Sequence, residues 1–120
     1  MLDDRDMDDV FQALGSSSRR RMLDCIKETP GIVVGALASQ FDVSRIAVMK
    51  HLAVLEAANL IVSEKDGRTR RLYFNAAPIQ MIHDRWTTEY SAYWAGRLTQ
   101  IKYRAEARHA SNKKKGKARK

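Results

Sequence analysis

From Asp6 to Leu14 the apolar residues fall at Met7, Val10, Phe11 and Leu14, three and four apart, as on one face of an amphipathic helix. Gly15 ends that helix. Ser16 to Ser18 then offer capping hydroxyls ahead of a second helix over Arg19 to Thr29, whose apolar stripe is Met22, Leu23 and Ile26, with Pro30-Gly31 closing it. Ile32 to Val34 is a short β-branched run that suits a stub of strand, and Val34 to Gln40, with Leu37 and Phe41, predicts a third, short helix. Ser44 is a good N-cap for a fourth helix to about Ala57, in which Val48, Leu52 and Leu55 form the inward stripe and after which Asn59 breaks the pattern.

Leu60 to Lys65 and Arg68 to Asn75 flank Asp66-Gly67, a dipeptide that readily takes the positive φ angles of a two-residue type I′ hairpin turn. Pairing outward from that turn sets Lys65 against Arg68, Glu64 against Thr69, Ser63 against Arg70 and Ile61 against Leu72, so that Ile61 and Leu72 share the buried face. Pro78 suits the first turn of a long last helix, along which Ile79, Ile82, Trp86, Tyr90, Tyr93, Trp94, Leu98 and Ile101 recur every three to four residues.

The fold class is therefore mainly α with a small β-hairpin: helix, short turn, helix, then a charged hairpin. That order suits a major groove and its flanking backbone. Beyond the inward stripe of the fourth helix lie Arg45, Ile46, Met49 and Lys50. Arg45 has the reach for guanine O6 and N7, Ile46 or Met49 for a thymine methyl, and Ser44 with the first helical amides for a phosphate. In the hairpin, Lys65, Arg68, Arg70 and Arg71 gather around a tight turn and form a basic wing for phosphates or a minor groove.

A net charge of +8 favours a polyanionic partner. The first ten residues are acidic, with Asp3, Asp4, Asp6, Asp8 and Asp9 against Arg5, while 105–120 carry Arg108, Lys113, Lys114, Lys115, Lys117, Arg119 and Lys120 against Glu106. The segment between stays net positive, so the charge signal does not rest on the ends. The plan expected is one domain over 1–104 followed by a disordered basic tail over 105–120. Cys25 is the single cysteine, which excludes an intrachain disulfide and a thiolate cluster within one chain, and its place beside an apolar stripe suits an inert thiol. No apolar run approaches the roughly 18 residues a bilayer span needs, so a cytoplasmic protein with no membrane partner is expected. Gly-rich phosphate loops, nucleophile triads and His/Glu metal motifs are absent, which argues against an enzyme.

Ala13-Leu14-Gly15, Arg19-Arg20-Arg21, Val34-Gly35-Ala36-Leu37-Ala38, the run Val43 to Leu52, the run Val54 to Leu60 and Gly67-Arg68 resemble the ArsR family of repressors, over roughly residues 7 to 103. The resemblance implies a winged helix-turn-helix protein, dimeric through its terminal helices, that represses its own or a neighbouring promoter. In metal-sensing members a Cys-Val-Cys segment opens the third helix; here those positions are Val33, Val34 and Gly35, which offer no side-chain ligand. A second family site on the last helix is represented only by His83, Asp84 and Glu89, so no metal and no cofactor are expected. Pro78-Ile79, Trp86, Tyr90 and Trp94 are similar instead to a non-metal branch. Isologous contacts through Ile82, Trp86, Tyr90, Tyr93 and Trp94, with Val10 and Phe11 of the first helix, would form the homodimer. The expected partner is double-stranded DNA, with room for a small-molecule effector whose chemistry is not written in the sequence. The competing reading is a sequence-tolerant, chromatin-type nucleic-acid-binding protein.

Overall fold

The computed structural model describes residues 2–87 and 89–118, with side chains outside 89–91 and 113–118. Its elements are α1 (Asp4–Leu14), α2 (Ser17–Glu28), β1 (Ile32–Val33), α3 (Val34–Ala38), α4 (Arg45–Ala57), β2 (Ile61–Asp66), β3 (Thr69–Phe74), α5 (Ala77–Trp86) and α6 (Glu89–Ala118). Two compact units result, Met1–His83 and Asp84–Lys120, where the sequence suggested one domain to residue 104.

The first unit is organised around a core of Val10, Ala13, Met22, Leu23, Ile26, Ile32, Val34, Leu37, Val48, Leu52, Leu55, Leu60, Ile61 and Leu72. Three helix starts, those of α1, α2 and α4, are supplied with a side-chain acceptor for their orphan amides. Asp3 and Asp6 form a reciprocal capping box on α1, Ser16 Oγ accepts from Arg19 N at 3.3 Å, and Ser44 Oγ accepts from Ala47 N at 3.1 Å. The C-terminus of α1 is closed by the next helix. Arg19 donates from Nε to Ala13 O (2.9 Å) and from Nη2 to Gln12 O (2.8 Å), and Arg20 donates to Leu14 O (2.6 Å).

Helix α4 ends in a Schellman motif: Asn59 takes φ +59°, its N–H bonds to Glu56 O, and Leu60 N–H reaches back to Leu55 O, each at 3.0 Å. Leu60 and Leu55 are fully buried, so the motif delivers the chain into β2 with a core residue already seated. Asn75 fastens the far end of the hairpin, donating from its side chain to Asn59 O and accepting from Ala77 N at the start of α5.

The sheet has the antiparallel order β1-β3-β2, so the expected hairpin gains a third strand from the Ile32–Val33 stub. Its register corrects the sequence reading. Asp66 pairs with Thr69, Lys65 with Arg70, Ser63 with Leu72 and Ile61 with Phe74, which makes Gly67-Arg68 the central turn residues. The expected turn required Asp66 to adopt positive φ; the observed one asks this only of Gly67 (φ +63°), the pattern of a glycine-first type II′ turn. The displacement is two residues, so every side chain keeps the face assigned to it, and Ile61 and Leu72 are both buried.

The last helix is likewise corrected. It is two helices, interrupted at Thr87, where the Thr87-Thr88 pair brings β-branched side chains of low helix propensity. Residues 105–118, expected as part of a disordered tail, continue α6. Ala105, Glu106, Ala107, Arg108 and Ala110 are good helix formers, and they extend a helix already nucleated upstream, which costs less than starting one. In the second unit Tyr93 and Trp94 meet edge to face at 5.8 Å between ring centroids, and the Arg97 guanidinium lies over both rings. Among the described residues, no helix is long and apolar enough to cross a membrane.

Candidate nucleic-acid interface

Helices α3 and α4 with the turn between them form the helix-turn-helix, and β2–β3 the wing. Val48, Leu52 and Leu55 are buried as their spacing requires, which turns the opposite face of α4 to solvent. Arg45 and Lys50 are exposed there, Met49 is at the surface, and Ile46 is 71% exposed in the first turn. Ser44 holds the helix start through its bond to Ala47 N.

Arg45 and Met49 line one cleft of about 220 Å³ together with Arg68, Thr69 and Arg70 of the hairpin and Val33, Val34 and Gly35 at the β1–α3 junction. Four residues singled out from sequence, Arg45, Met49, Arg68 and Arg70, therefore converge although they lie on two elements. The three positions matching the family's thiolate segment contribute only apolar and backbone atoms to the same cleft.

The four wing cations divide into two kinds. Lys65 and Arg68 are exposed and make no ion pair among the described residues. Arg70 and Arg71 have intramolecular partners. Arg70 Nη2 lies 3.1 Å from Glu56 Oε2 and 2.8 Å from Ser63 Oγ. Arg71 donates from Nε to Asp66 Oδ2 (2.8 Å) and from Nη1 to Gly31 O (3.0 Å), and the hydrogen bond to the Asp66 carboxylate raises its pKa above the ordinary arginine value. Glu56 and Ser63 were not singled out from sequence. Strand alternation was the available signal, since Ser63 and Arg70 share a face with Ile61 and Leu72.

On the recognition helix, His51 is half-buried, with Nδ1 3.4 Å from Arg19 Nη1. Cys25, also half-buried, has Sγ 3.3 Å from Gln40 Oε1. A second cleft, about 260 Å³, has an apolar floor of Leu14, Leu23, Phe74 and Ile79 and a rim of Arg20, Asp24 and Lys27.

Of the residues expected at a dimer interface, Val10 is fully buried in the chain's own core, because α1 turns it toward α2 and α4. It is withdrawn from that set. Phe11, Trp86, Tyr93 and Trp94 are exposed, as are Leu98 and Ile101, and Ile82 packs partly on the core. The Tyr90 side chain lies outside the described residues.

Comparison with known proteins agrees with this geometry. The Helix-turn-helix domain family model matches residues 14–64. The uncharacterized HTH-type transcriptional regulator YuzN of Bacillus subtilis is 38% identical over 85 residues, covering 66% of this chain and 92% of that protein. The transcriptional repressor SdpR of the same species is 28% identical over 74 residues, covering 62% of this chain and 81% of its own. An ArsR-like transcriptional regulator from Rhodococcus sp. RHA1, a solved structure, has a TM-score of 0.65 at 32% identity, covering 86% of this chain and 93% of that one. A helix-turn-helix followed by a basic hairpin, with relatives of this kind along most of its length, places the chain in the ArsR family of winged helix-turn-helix transcriptional regulators.

Proposed function

We propose that the chain is a cytoplasmic repressor that binds an inverted-repeat operator in duplex DNA as a homodimer. The observation that carries this reading is the placement of Ile46 and Met49 at the surface in the first turns of α4, beside Arg45. Apolar side chains held out in water at the reading end of a helix have a use when thymine methyls meet them, and a sequence-tolerant binder gains little from them. Ser44, Arg45, Ile46, Met49 and Lys50 supply base and phosphate contacts from α4. Lys65 and Arg68 supply the wing's contacts, and Arg70 and Arg71, held by their partners within the chain, shape the wing beside them.

The dimer is built from Phe11, Ile82, Trp86, Tyr90, Tyr93 and Trp94. Leu98 and Ile101 continue the helical spacing of Trp94 along α6. Two recognition helices held about 34 to 36 Å apart would read half-sites about one helical turn apart. Repression follows from occupying promoter sequence that polymerase needs, in keeping with the similarity to a relative named as a repressor. An effector would act by binding two dimer geometries with different affinity, and the cleft of about 260 Å³ beside α2 gives it room.

The test is a titration of the protein against its own upstream DNA and a scrambled duplex at several salt concentrations, with and without zinc. The expected result is two protomers per inverted repeat, retention at salt that releases the scrambled duplex, and indifference to zinc. Equal affinity for both duplexes, repeated on a genome-wide fragment selection, would replace this reading with that of a sequence-tolerant nucleic-acid coat protein. The basic stretch of α6 is the feature that would then carry binding.

A further inference from the structure

Glu56 places a carboxylate close to a surface otherwise arranged for phosphate. We infer that Glu56 is a positioning residue that locks the wing to the recognition helix through Arg70 and Ser63, so that DNA meets helix and wing as one rigid reader.

The lock follows from strand alternation. Leu72 is buried, so Arg70, two residues earlier on β3, emerges from the same face at the edge of the core. Ser63 is the cross-strand partner of Leu72 and shares that face. The last full turn of α4 passes over it and brings Glu56 within reach. Ser63 Oγ donates to Glu56 Oε1 at 2.8 Å, and Arg70 Nη2 lies 3.2 Å and 3.1 Å from the two Glu56 oxygens and 2.8 Å from Ser63 Oγ. A hydroxyl has one proton to give; here it goes to the carboxylate, and the oxygen lone pair receives the guanidinium. Three groups from α4, β2 and β3 thus close a small ring with donors matched to acceptors.

Side-chain exposure of 42% for Arg70 and 43% for Glu56 keeps the pair screened, so its contribution to global stability is small. Its effect is geometric. A two-stranded ribbon is marginal alone, and β3 is already held on its other edge by β1 and by Arg71 on Gly31 O. The Glu56 ring supplies the polar tie to the recognition helix itself. It also neutralises the carboxylate, which would otherwise repel phosphate, and it commits one Arg70 nitrogen to the protein.

The inference rests on the reading that α4 and the wing both touch DNA, and the test separates the two. Glu56→Gln, Arg70→Gln and the double variant of the full chain are titrated on operator over a salt series, and amide hydrogen exchange of β2 and β3 is measured on the free proteins. The lock predicts that each single variant weakens operator binding about threefold to tenfold with the salt slope unchanged. It also predicts that the double variant is no weaker than the worse single one, and that β2–β3 protection falls in all three.

Tighter binding by Glu56→Gln would overturn the inference, because it would make Glu56 a mere repulsive neighbour. So would an Arg70→Gln slope that flattens by about 0.9 with wing protection intact, the signature of an arginine that neutralises a phosphate directly. Failure of the unmodified protein to prefer operator over scrambled duplex would count against the regulator reading alone. Exchange in the free wing would still decide the lock.

Discussion

Asn59 adopts φ +59° at the end of α4, where the chain must leave the helix and enter β2 without exposing Leu60. Asparagine visits this left-handed region more readily than other residues with a Cβ, because its short polar side chain can bond locally. Replacing it with alanine should destabilise the protein by about 1–2 kcal/mol, read as a lower urea midpoint at unchanged m-value, while Asn59→Gly should retain the midpoint closely. The interruption at Asn59 was legible in the sequence, but its handedness and the reach of Leu60 N–H to Leu55 O were not, since both depend on Leu60 being drawn into the core. The same limit separates Val10 from Phe11. Both lie on the apolar side of α1, about 100° apart around the helix. Periodicity identifies that side without saying which part packs inward and which stays exposed. The charge of the wing was plain, yet its division into exposed Lys65 and Arg68 and tethered Arg70 and Arg71 appeared only once register and partners were known.

At the level of elements, α1, α2 and α4 meet at Arg19, whose guanidinium takes two carbonyls from α1 and lies against His51 of α4. Arg19→Ala should cost about 1–3 kcal/mol by leaving α1 carbonyls without their charged donor, and thermal unfolding of that variant is the direct check. Retention of the full melting temperature would show that solvent replaces those bonds without penalty. Helix existence was readable throughout the first unit because each stripe there is buried in one core. The hairpin was readable too, but its turn was misplaced by one position, since Asp-Gly signals a tight turn without saying which central position the glycine fills. Beyond Pro78 the period of three to four continues across Thr87, and periodicity alone reads through an interruption when both flanking helices share the same phase. The helix from 105 onward was missed for a related reason: composition poor in apolar residues predicts the absence of a core, and a helix can form without one.

For the whole molecule, charge is segregated along the chain, with an acidic start, a basic winged unit and a basic end. If the end contributes only backbone attraction, deleting 105–120 should weaken binding to operator and scrambled duplex alike. The salt slope should flatten by about 0.9 for each phosphate that the end neutralises, and base preference should be unchanged. Disappearance of specificity on that deletion would refute readout by α4. The proposed readout would also extend to the covalent state of the DNA. Ile46 and Met49 stand at the surface, and in the proposed readout such apolar side chains would select a methyl group rather than a hydrogen-bonding edge. An operator made with uracil in place of the contacted thymine keeps every donor and acceptor and lacks one carbon. Its affinity should fall about fourfold, the worth of one buried methyl at about 0.8 kcal/mol. Where the contacted base is a cytosine, methylation at the same ring position would present the same carbon, so the proposed regulator would distinguish methylated from unmethylated copies of such a site.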